Sequence, residues 1–281
     1  MKKFLFIVNP IAGGGKGLAA ATRVSSVIGK NYCEIISTKK QGDATKIARQ
    51  HAAHFENVIA VGGDGTLNEV AQGILHENVK LGILPAGSGN ALALSLKYPT
   101  SLDEIAQVFL SQKTKLIDVG KVNSHIFLNT FGIGFDAHVA NIFQKSKRGL
   151  WSYIQIALKE MPFYKSFPII INNEKYQAVL VNVTNSGQFG NNFYISKSSK
   201  IDDGILELCI IQKFSVPDIA LHGFSFLQKG IQSSSQAINK RGKRFLIKSP
   251  ALLPAHCDGE PFKDKHFEIN ILPKSLQILI P

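Results

Sequence analysis

Residues 59–70 read Ile59-Ala60-Val61-Gly62-Gly63-Asp64-Gly65-Thr66-Leu67-Asn68-Glu69-Val70, a short apolar run that gives way to glycines and then to helical periodicity. The run has the length of a buried strand, and glycines after it can adopt backbone conformations closed to other residues. A chain that passes this abruptly from strand to helix presents free N–H groups at the helix start, where the macrodipole favours an anion. Phosphate is the expected guest. Thr66 can cap the helix or bind phosphate, and Asp64 sets a carboxylate where a cation bridging phosphates would lie. The plainer alternative is a turn residue at Asp64 with helix surface at Asn68 and Glu69.

Two more loops share this grammar. Asn9-Pro10-Ile11-Ala12-Gly13-Gly14-Gly15-Lys16-Gly17 follows the apolar run ending at Val8, and Pro85-Ala86-Gly87-Ser88-Gly89-Asn90-Ala91-Leu92-Ala93 follows Leu81–Leu84. Neither is a Walker A loop or a GxGxxG fingerprint, and either alone could be an ordinary turn. In a parallel sheet, however, the carboxyl ends of the strands face one crevice, so three such loops are expected to meet at one site.

Working outward, Lys3–Val8, Cys33–Ser37, Val58–Val61, Lys80–Leu84 and Lys115–Val119 predict parallel strands. Leu18–Ile28, Asp43–Ala53, Thr66–Leu75 and Ser101–Leu110 carry the three-to-four spacing of crossover helices. Residues 1–118 therefore predict an α/β domain. Beyond it, Ser124–Thr130, Phe167–Ile171, Gln177–Thr184, Leu206–Ile211, Arg244–Ile247 and His266–Ile271 predict antiparallel strands of a β-sandwich over residues 119–271. Helical stretches are expected at Gly149–Pro162, with Leu150, Ile154, Ala157, Leu158 and Met161 on one face, and at Phe214–Ile231. The tail, about 272–281, is expected to pack back on the first domain; its apolar run, Leu276–Ile280, is too short to place alone.

The 281 residues, 44% hydrophobic and 19% charged, exclude a disordered or fibrous chain and suffice for two domains. Cys33, Cys209 and Cys257 form no CxxC pair, which argues against a disulfide framework and for a reducing cytoplasm. The opening apolar run, Phe4–Val8, ends at Asn9-Pro10 and predicts a strand, not a leader. No stretch approaches the ~18–20 apolar residues of a spanning helix, so membrane contact is expected to be peripheral.

The net charge is +12, with 19 basic and 11 acidic residues after residue 118 against 13 and 9 up to it. That balance suits an anionic lipid surface, nucleic acid or polyphosphate. Lys145, Lys147 and Arg148 precede the amphipathic run from Leu150 to Tyr164, whose Trp151 and Tyr153 suit a headgroup interface, although packing against the sandwich accounts for the same stripe. Lys240-Arg241-Gly242-Lys243-Arg244 adds to the basic surface or is a solvated loop. The basic residues are dispersed and no nucleic-acid reader motif is present.

Taken together, NPIAGGGKG, GGDGTLNEV, LPAGSGNALA, Asp202-Asp203-Gly204 and Asp258-Gly259-Glu260 resemble the diacylglycerol-kinase catalytic family, which includes bacterial lipid kinases and the sphingosine and ceramide kinases. The resemblance implies a phosphofructokinase- or NAD-kinase-like nucleotide domain, a β-sandwich domain, and lipid entering the cleft between them. It implies ATP and Mg2+ as cofactors and a lipid such as a diacylglycerol or a sphingoid-type lipid as acceptor, hence phospholipid metabolism. By position it places Asn9, Pro10, Ile11, Ala12, Gly13, Thr38, Gly63, Asp64, Gly65, Thr66, Leu67, Asn68, Glu69 and Ser88 on the nucleotide. The Asp203 carboxylate and the carbonyls of Lys200 and Ile205 match a structural magnesium segment, and oxygen ligands suit a hard cation. Transfer to a lipid hydroxyl needs a carboxylate to take the proton, and Glu260 is the family's usual base, with Asp258 and Asp64 as alternatives.

GSGNALA at 87–93 is similar to the sphingosine-kinase version of the third loop, while FGIGFDAHVA at 131–140 and DDGIL at 202–206 look bacterial, so the acceptor lipid stays open. GGDGT also occurs in NAD kinases, and a nucleotide- or lipid-binding regulator without turnover is a further alternative. The expected setting is the cytoplasm with peripheral membrane association, and a homodimer is left open.

Overall fold

Phe4-Leu5-Phe6-Ile7-Val8 is apolar throughout because both its faces are covered, with no side chain more than 4% exposed. Unbroken apolar runs of this kind belong in the middle of a parallel sheet with helices on both faces. The computed structural model describes residues 3–144, 155–156, 159–160, 163–190, 193–212, 230–234 and 236–281. It divides into two compact units, Met1–Ile117 with Lys274–Pro281, and Asp118–Pro273.

In the first unit β1 (Phe4–Val8) lies between β2 (Cys33–Ser37) and β3 (Asn57–Gly62), and β4 (Lys80–Pro85) lies beyond β3, all parallel. Helices α1 (Gly17–Ile28), α2 (Asp43–His51), α3 (Asp64–Ile74) and α5 (Leu102–Ser111) are the predicted crossovers, and a short α4 (Ala91–Ser95) adds a turn that the sequence reading did not separate from its loop. Ile59, Leu81 and Leu84 are fully buried, each contributing about 1.5–3 kcal/mol of transfer free energy. The α2–α3 packing is close enough that a Cβ on Gly73 would sit 2.5 Å from the Ala48 Cβ, so only glycine fits there.

The fifth parallel strand is not the predicted Lys115–Val119. Gln277 and Ile278 pair with Lys80 and Leu81, placing the chain's end parallel beside β4. A strand in that position must be apolar toward both layers. Leu276, Ile278 and Leu279 are at most 3% exposed, whereas Leu116 is 49% exposed. The Tyr98 hydroxyl donates to the Leu279 carbonyl and closes the tail onto the unit. The run around Leu116 is instead part of β5 (Thr114–Val122), whose far end pairs antiparallel with β6 (His125–Phe127).

In the second unit β7 (Thr130–Gly134), β10 (Leu180–Thr184), β13 (Leu206–Ile211) and β14 (Ala237–Gly242) pair antiparallel in the order 14-13-10-7. Beside β7 runs β15 (Arg244–Cys257), which also pairs with β8 (Phe167–Ile171) and with β16 (Glu260–Leu279). The hairpin is completed by β9 (Glu174–Ala178) on β8, and β11 (Gln188–Gly190) pairs with β12 (Phe193–Tyr194). Phe127, Phe131 and Phe267 are fully buried at its centre. The predicted Ser124–Thr130 and Gln177–Thr184 are each split by a turn, and β15 and β16 far outrun the predicted Arg244–Ile247 and His266–Ile271. Their extra length is hidden in the sequence because Lys263, Asp264 and Lys265 lie on a solvated stretch with no apolar run to betray a strand.

A helix not predicted, α6 (Phe135–Gln144), follows β7 after Gly134, whose φ of 84° breaks the strand. The basic residues 145, 147 and 148 and the face residues 150, 154, 157, 158 and 161 lie outside the described residues, as do 214–229 of the second predicted helix. Among the described residues no helix is long and apolar enough to cross a membrane. The three cysteines are buried free thiols. Burial pushes Cys33 up to about 11 and Cys209 up to about 12.

Candidate functional site

The carboxyl ends of the four parallel strands lie level, since Val8 pairs with both Ser37 and Val61, and Gly62 pairs with Pro85. Backbone bonds continue the ladder past the strands: Asn9 N–H donates to the Val61 carbonyl (2.9 Å), Thr38 N–H to Val8 (2.8 Å) and Ala86 N–H to Gly62 (2.8 Å). Asn9, Thr38, Gly63 and Ala86 therefore leave the sheet along one edge, and the glycine loops that follow are in contact. A Cβ on Gly87 would lie 2.4 Å from the Gly63 Cα, and one on Gly13 would lie 2.5 Å from the Ala86 carbonyl oxygen. Backbone rests on backbone at both points.

Side chains complete the join. Asn9 Nδ2 donates to Thr66 Oγ1 (3.2 Å) while its Oδ1 accepts the Ile11 N–H (3.2 Å), which holds the first loop against the start of α3. Asp64 Oδ1 accepts the Ala91 N–H (2.8 Å), so it caps α4 and ties the second loop to the third. The third loop is locked by Asn90, whose amide both accepts from Gly87 N–H (3.0 Å) and donates to the Gly87 carbonyl (2.8 Å). Asn90 has a φ of 50°, which asparagine tolerates better than most residues. Gly13, Gly14 and Gly15 all have positive φ, while Ile11 and Ser88 stand exposed at the loop tips and Pro10 is half-buried.

Not every residue of the second loop faces that edge. Leu67 is 3% exposed and belongs to the core. Glu69 accepts from Gly42 N–H (2.9 Å) and Ala44 N–H (3.2 Å), and so caps the N-terminus of α2. Ala12, Thr66 and Asn68 are buried, and Gly65 is half-buried. What remains toward the loops is a set of backbone N–H groups at the start of α3, an eleven-residue helix, with glycines that admit close approach.

In the second unit, Asp258 and Gly259 are the two central residues of the hairpin that joins β15 to β16, and Cys257 pairs with Glu260 across it. Both have positive φ, 48° and 88°, as a two-residue type I′ turn demands. The Asp258 carboxylate accepts three amides, from Leu128 (2.7 Å), Asn129 (2.9 Å) and Thr130 (2.9 Å), and its own N–H donates to the Thr130 carbonyl (2.9 Å). Three of roughly four acceptor positions on that carboxylate are thus engaged. Glu260, half-buried, opens β16 directly after the turn.

The segment 200–205 precedes β13. Asp203 Oδ1 accepts the Ile205 N–H (3.1 Å) and its Oδ2 pairs with Arg241 (3.3 Å), while the buried Asp118 accepts the Gly204 N–H (2.6 Å). The donor chemistry here is all oxygen, which fits a hard cation, but Asp203 is the one side-chain ligand in the expected set. Among the described residues no group of three or more His, Cys, Asp or Glu side chains gathers to hold a metal. Any ion at this segment would rest on the Lys200 and Ile205 carbonyls.

Beside that segment the sequence reading missed a buried acid. Glu207 is 5% exposed and receives the hydroxyls of Ser196, Ser198 (3.0 Å) and Ser199 (2.7 Å), with Arg241 Nε at 3.3 Å. Burial works to raise its carboxyl, but the three hydroxyls and the Arg241 charge outweigh burial and hold it below the ordinary glutamate value. A carboxyl depressed by folding adds stability that is fully present above the unfolded value of about 4.3 and is lost as pH falls through the folded value. Glu207→Gln is expected to lower Tm at neutral pH and to flatten the decline of Tm below about pH 4.3, measured by thermal unfolding across pH. Parallel acid limbs for the two proteins would remove Glu207 as the cause.

The basic stretch at 240–244 is largely paired within its own unit. Lys240 meets Glu174 (2.8 Å), Arg241 meets Asp203 and Glu207, and Arg244 meets Glu268 (2.9 Å).

Comparison with known proteins follows the same division. Residues 3–122 match the family model described as diacylglycerol kinase catalytic domain, and residues 129–280 match the YegS C-terminal NAD kinase beta sandwich-like domain. The "Probable lipid kinase YegS-like" of Citrobacter koseri is 30% identical over 87% of this chain and 85% of its own. The "Putative lipid kinase" of Streptococcus pneumoniae serotype 4 is 29% identical over 99% of this chain and 98% of its own. Among solved structures, the crystal structure of a "putative diacylglycerol kinase" from Bacillus anthracis str. Sterne superposes with a TM-score of 0.82 at 26% identity, covering 100% of this chain and 97% of that one.

Proposed function

The chain belongs to the family that joins a diacylglycerol kinase catalytic domain to a YegS C-terminal β-sandwich-like domain, and from that premise we propose that it is an ATP-dependent lipid kinase. The transfer moves the γ-phosphoryl group of ATP to the hydroxyl of a diacylglycerol or sphingoid-type lipid. The observation that carries this reading is the packing of the glycine loops, with Gly63 against Gly87 and Asp64 capping α4. That arrangement sets backbone N–H groups and a helix start along one edge, with glycines that admit the close approach of a phosphate.

In this reading Asn9, Gly13, Gly63 to Thr66 and Ser88 contact the nucleotide chiefly through backbone groups, and Thr38 borders it. Asp64 holds the second and third loops in register. Glu260 takes the proton of the lipid hydroxyl, because Asp258 is committed to the amides of Leu128, Asn129 and Thr130. Bound Mg2+ would neutralise charge on the phosphates, and a second, structural ion would lie on Asp203 with the carbonyls of Lys200 and Ile205. The net charge of +12 suits peripheral attachment to an anionic lipid surface, where each basic residue contributes about 1 kcal/mol.

The purified protein, incubated with radiolabelled ATP and Mg2+, is expected to label diacylglycerol or sphingosine in mixed micelles. Parallel reactions with NAD as acceptor and with no acceptor complete the test. Label confined to NAD, or none in any lipid of the panel or in a total lipid extract, defeats the assignment.

A further inference from the structure

Behind the hairpin turn at Asp258-Gly259 lies a buried pair that the chemistry above does not use. His256 is 1% exposed and Asp136 is 6% exposed, and His256 Nε2 lies 2.9 Å from Asp136 Oδ2. Asn182 Nδ2 donates to the same oxygen at 2.9 Å. On the other side of the ring, the Gly259 N–H donates to His256 Nδ1 at 3.1 Å. Three elements meet here, α6 with Asp136, β10 with Asn182 and β15 with His256, and β7 runs beneath them. A Cβ on Gly132 of β7 would lie 2.4 Å from His256 Nε2 and 2.5 Å from Asp136 Oδ2, so the pair lies directly on that strand's backbone.

The partners dictate the ring's protons. An amide N–H can only donate, so Nδ1 carries a lone pair, and the neutral ring then bears its hydrogen on Nε2, facing a carboxylate that can only accept. Burying a carboxylate and an imidazole is costly, and the cost is offset where the Asn182 amide, the His256 ring and the Gly259 N–H each match a donor to an acceptor. The consequence reaches the turn: Gly259 has a φ of 88°, and its N–H is pinned by a ring that Asp136 and Asn182 hold from behind. Asp258, one residue earlier, is pinned from the front by the amides of residues 128–130.

We propose that Asp136 and His256 are positioning residues for the Asp258-Gly259-Glu260 turn, a buried acid–imidazole latch that fixes the direction in which the chain presents Glu260. The assignment rests on the lipid-kinase reading for its effect on turnover, but not for its effect on the turn. Two substitutions separate the latch from simple filling of space. His256→Asn keeps an acceptor where Nδ1 lies and loses the group facing Asp136; His256→Gln keeps a donor where Nε2 lies and loses the acceptor facing Gly259.

With lipid phosphorylation as the readout, His256→Gln is expected to lower kcat about 10–100-fold with KM for ATP and lipid within about threefold. His256→Asn, which keeps the acceptor for Gly259, should lose less than His256→Gln, its own loss measuring the brace at Asp136, and both variants lose stability. Hydrogen exchange at the Gly259 amide should accelerate about tenfold or more in His256→Gln and much less in His256→Asn. The wild-type protein, by 15N spectroscopy of the His256 ring, should show hydrogen on Nε2 and a bare Nδ1, a measurement that needs no variant to fold. A hydrogen on Nδ1, equal exchange at Gly259 in the two variants, or kcat that follows Tm across them overturns the latch. If wild-type protein phosphorylates no lipid while Gly259 exchange and the ring tautomer come out as stated, the latch stands and the kinase reading falls.

Discussion

Glu260→Gln is expected to lower lipid phosphorylation by about 10²–10⁴-fold while leaving ATP binding and Tm near those of the wild type. The substitution preserves size and hydrogen-bonding capacity but removes the group that would accept the hydroxyl proton. Three carboxylates compete for that role on sequence grounds, and two of them hold backbone amides of neighbouring segments. Asp258 holds the backbone of residues 128–130 through three amides, and Asp64 caps α4 at Ala91. Replacing either disturbs a loop, so activity lost there would be accompanied by lost stability or weaker nucleotide binding. Glu260→Gln should show the opposite signature, a change confined to kcat. Steady-state kinetics with ATP and lipid varied separately, beside thermal unfolding, decide the matter; turnover within about threefold of the wild type assigns the base elsewhere.

Gly87→Ala is expected to reduce kcat/KM for ATP by about 100-fold. The added methyl would sit 2.4 Å from the Gly63 Cα and 3.0 Å from Asn90 Oδ1. The first of these neighbours is backbone and cannot rotate away, so the second and third loops must separate. Displacement of a binding loop by about 1 Å is enough for an effect of that size. Gly14→Ala gives the contrast, since no atom lies within 4 Å of its Cβ position and its φ of 69° imposes only the left-handed penalty of about 1–2 kcal/mol. A loss for Gly87→Ala no larger than that for Gly14→Ala would show that the contact between loops does not shape the nucleotide site. Calorimetric titration of ATP into each variant gives the affinities directly.

Much of this protein is visible in its residues, because local patterns report local structure. The apolar runs at Phe4–Val8 and Val58–Val61 are strands wherever they are placed, and the glycines after them must be turns. That Asp64 and Ala91 belong together is less visible, for a turn residue and a phosphate-site carboxylate have the same sequence signature until α4 is seen to start on Asp64. Glu69 shows the converse: it sits inside the most informative motif of the chain, yet it serves the start of α2, twenty-five and twenty-seven residues earlier. His256 and Glu207 gave no signal at all, since an isolated acid or histidine in a β-rich region looks like any surface residue, and Asp136 was visible only as part of the segment FGIGFDAHVA, with nothing to mark its partner.

By itself, then, the sequence determined the class of each half and the positions of the glycine turns, because strand and helix periods and glycine's freedom at positive φ act over a few residues. Tertiary structure alone decided which run completes the parallel sheet, which amides the Asp258 carboxylate holds and which strand backbone the His256 ring rests against. Those outcomes depend on hydrogen bonds between residues 120 or more apart, such as Asp136 with His256 and Leu128 with Asp258, and on burial, which no short stretch of chain can report.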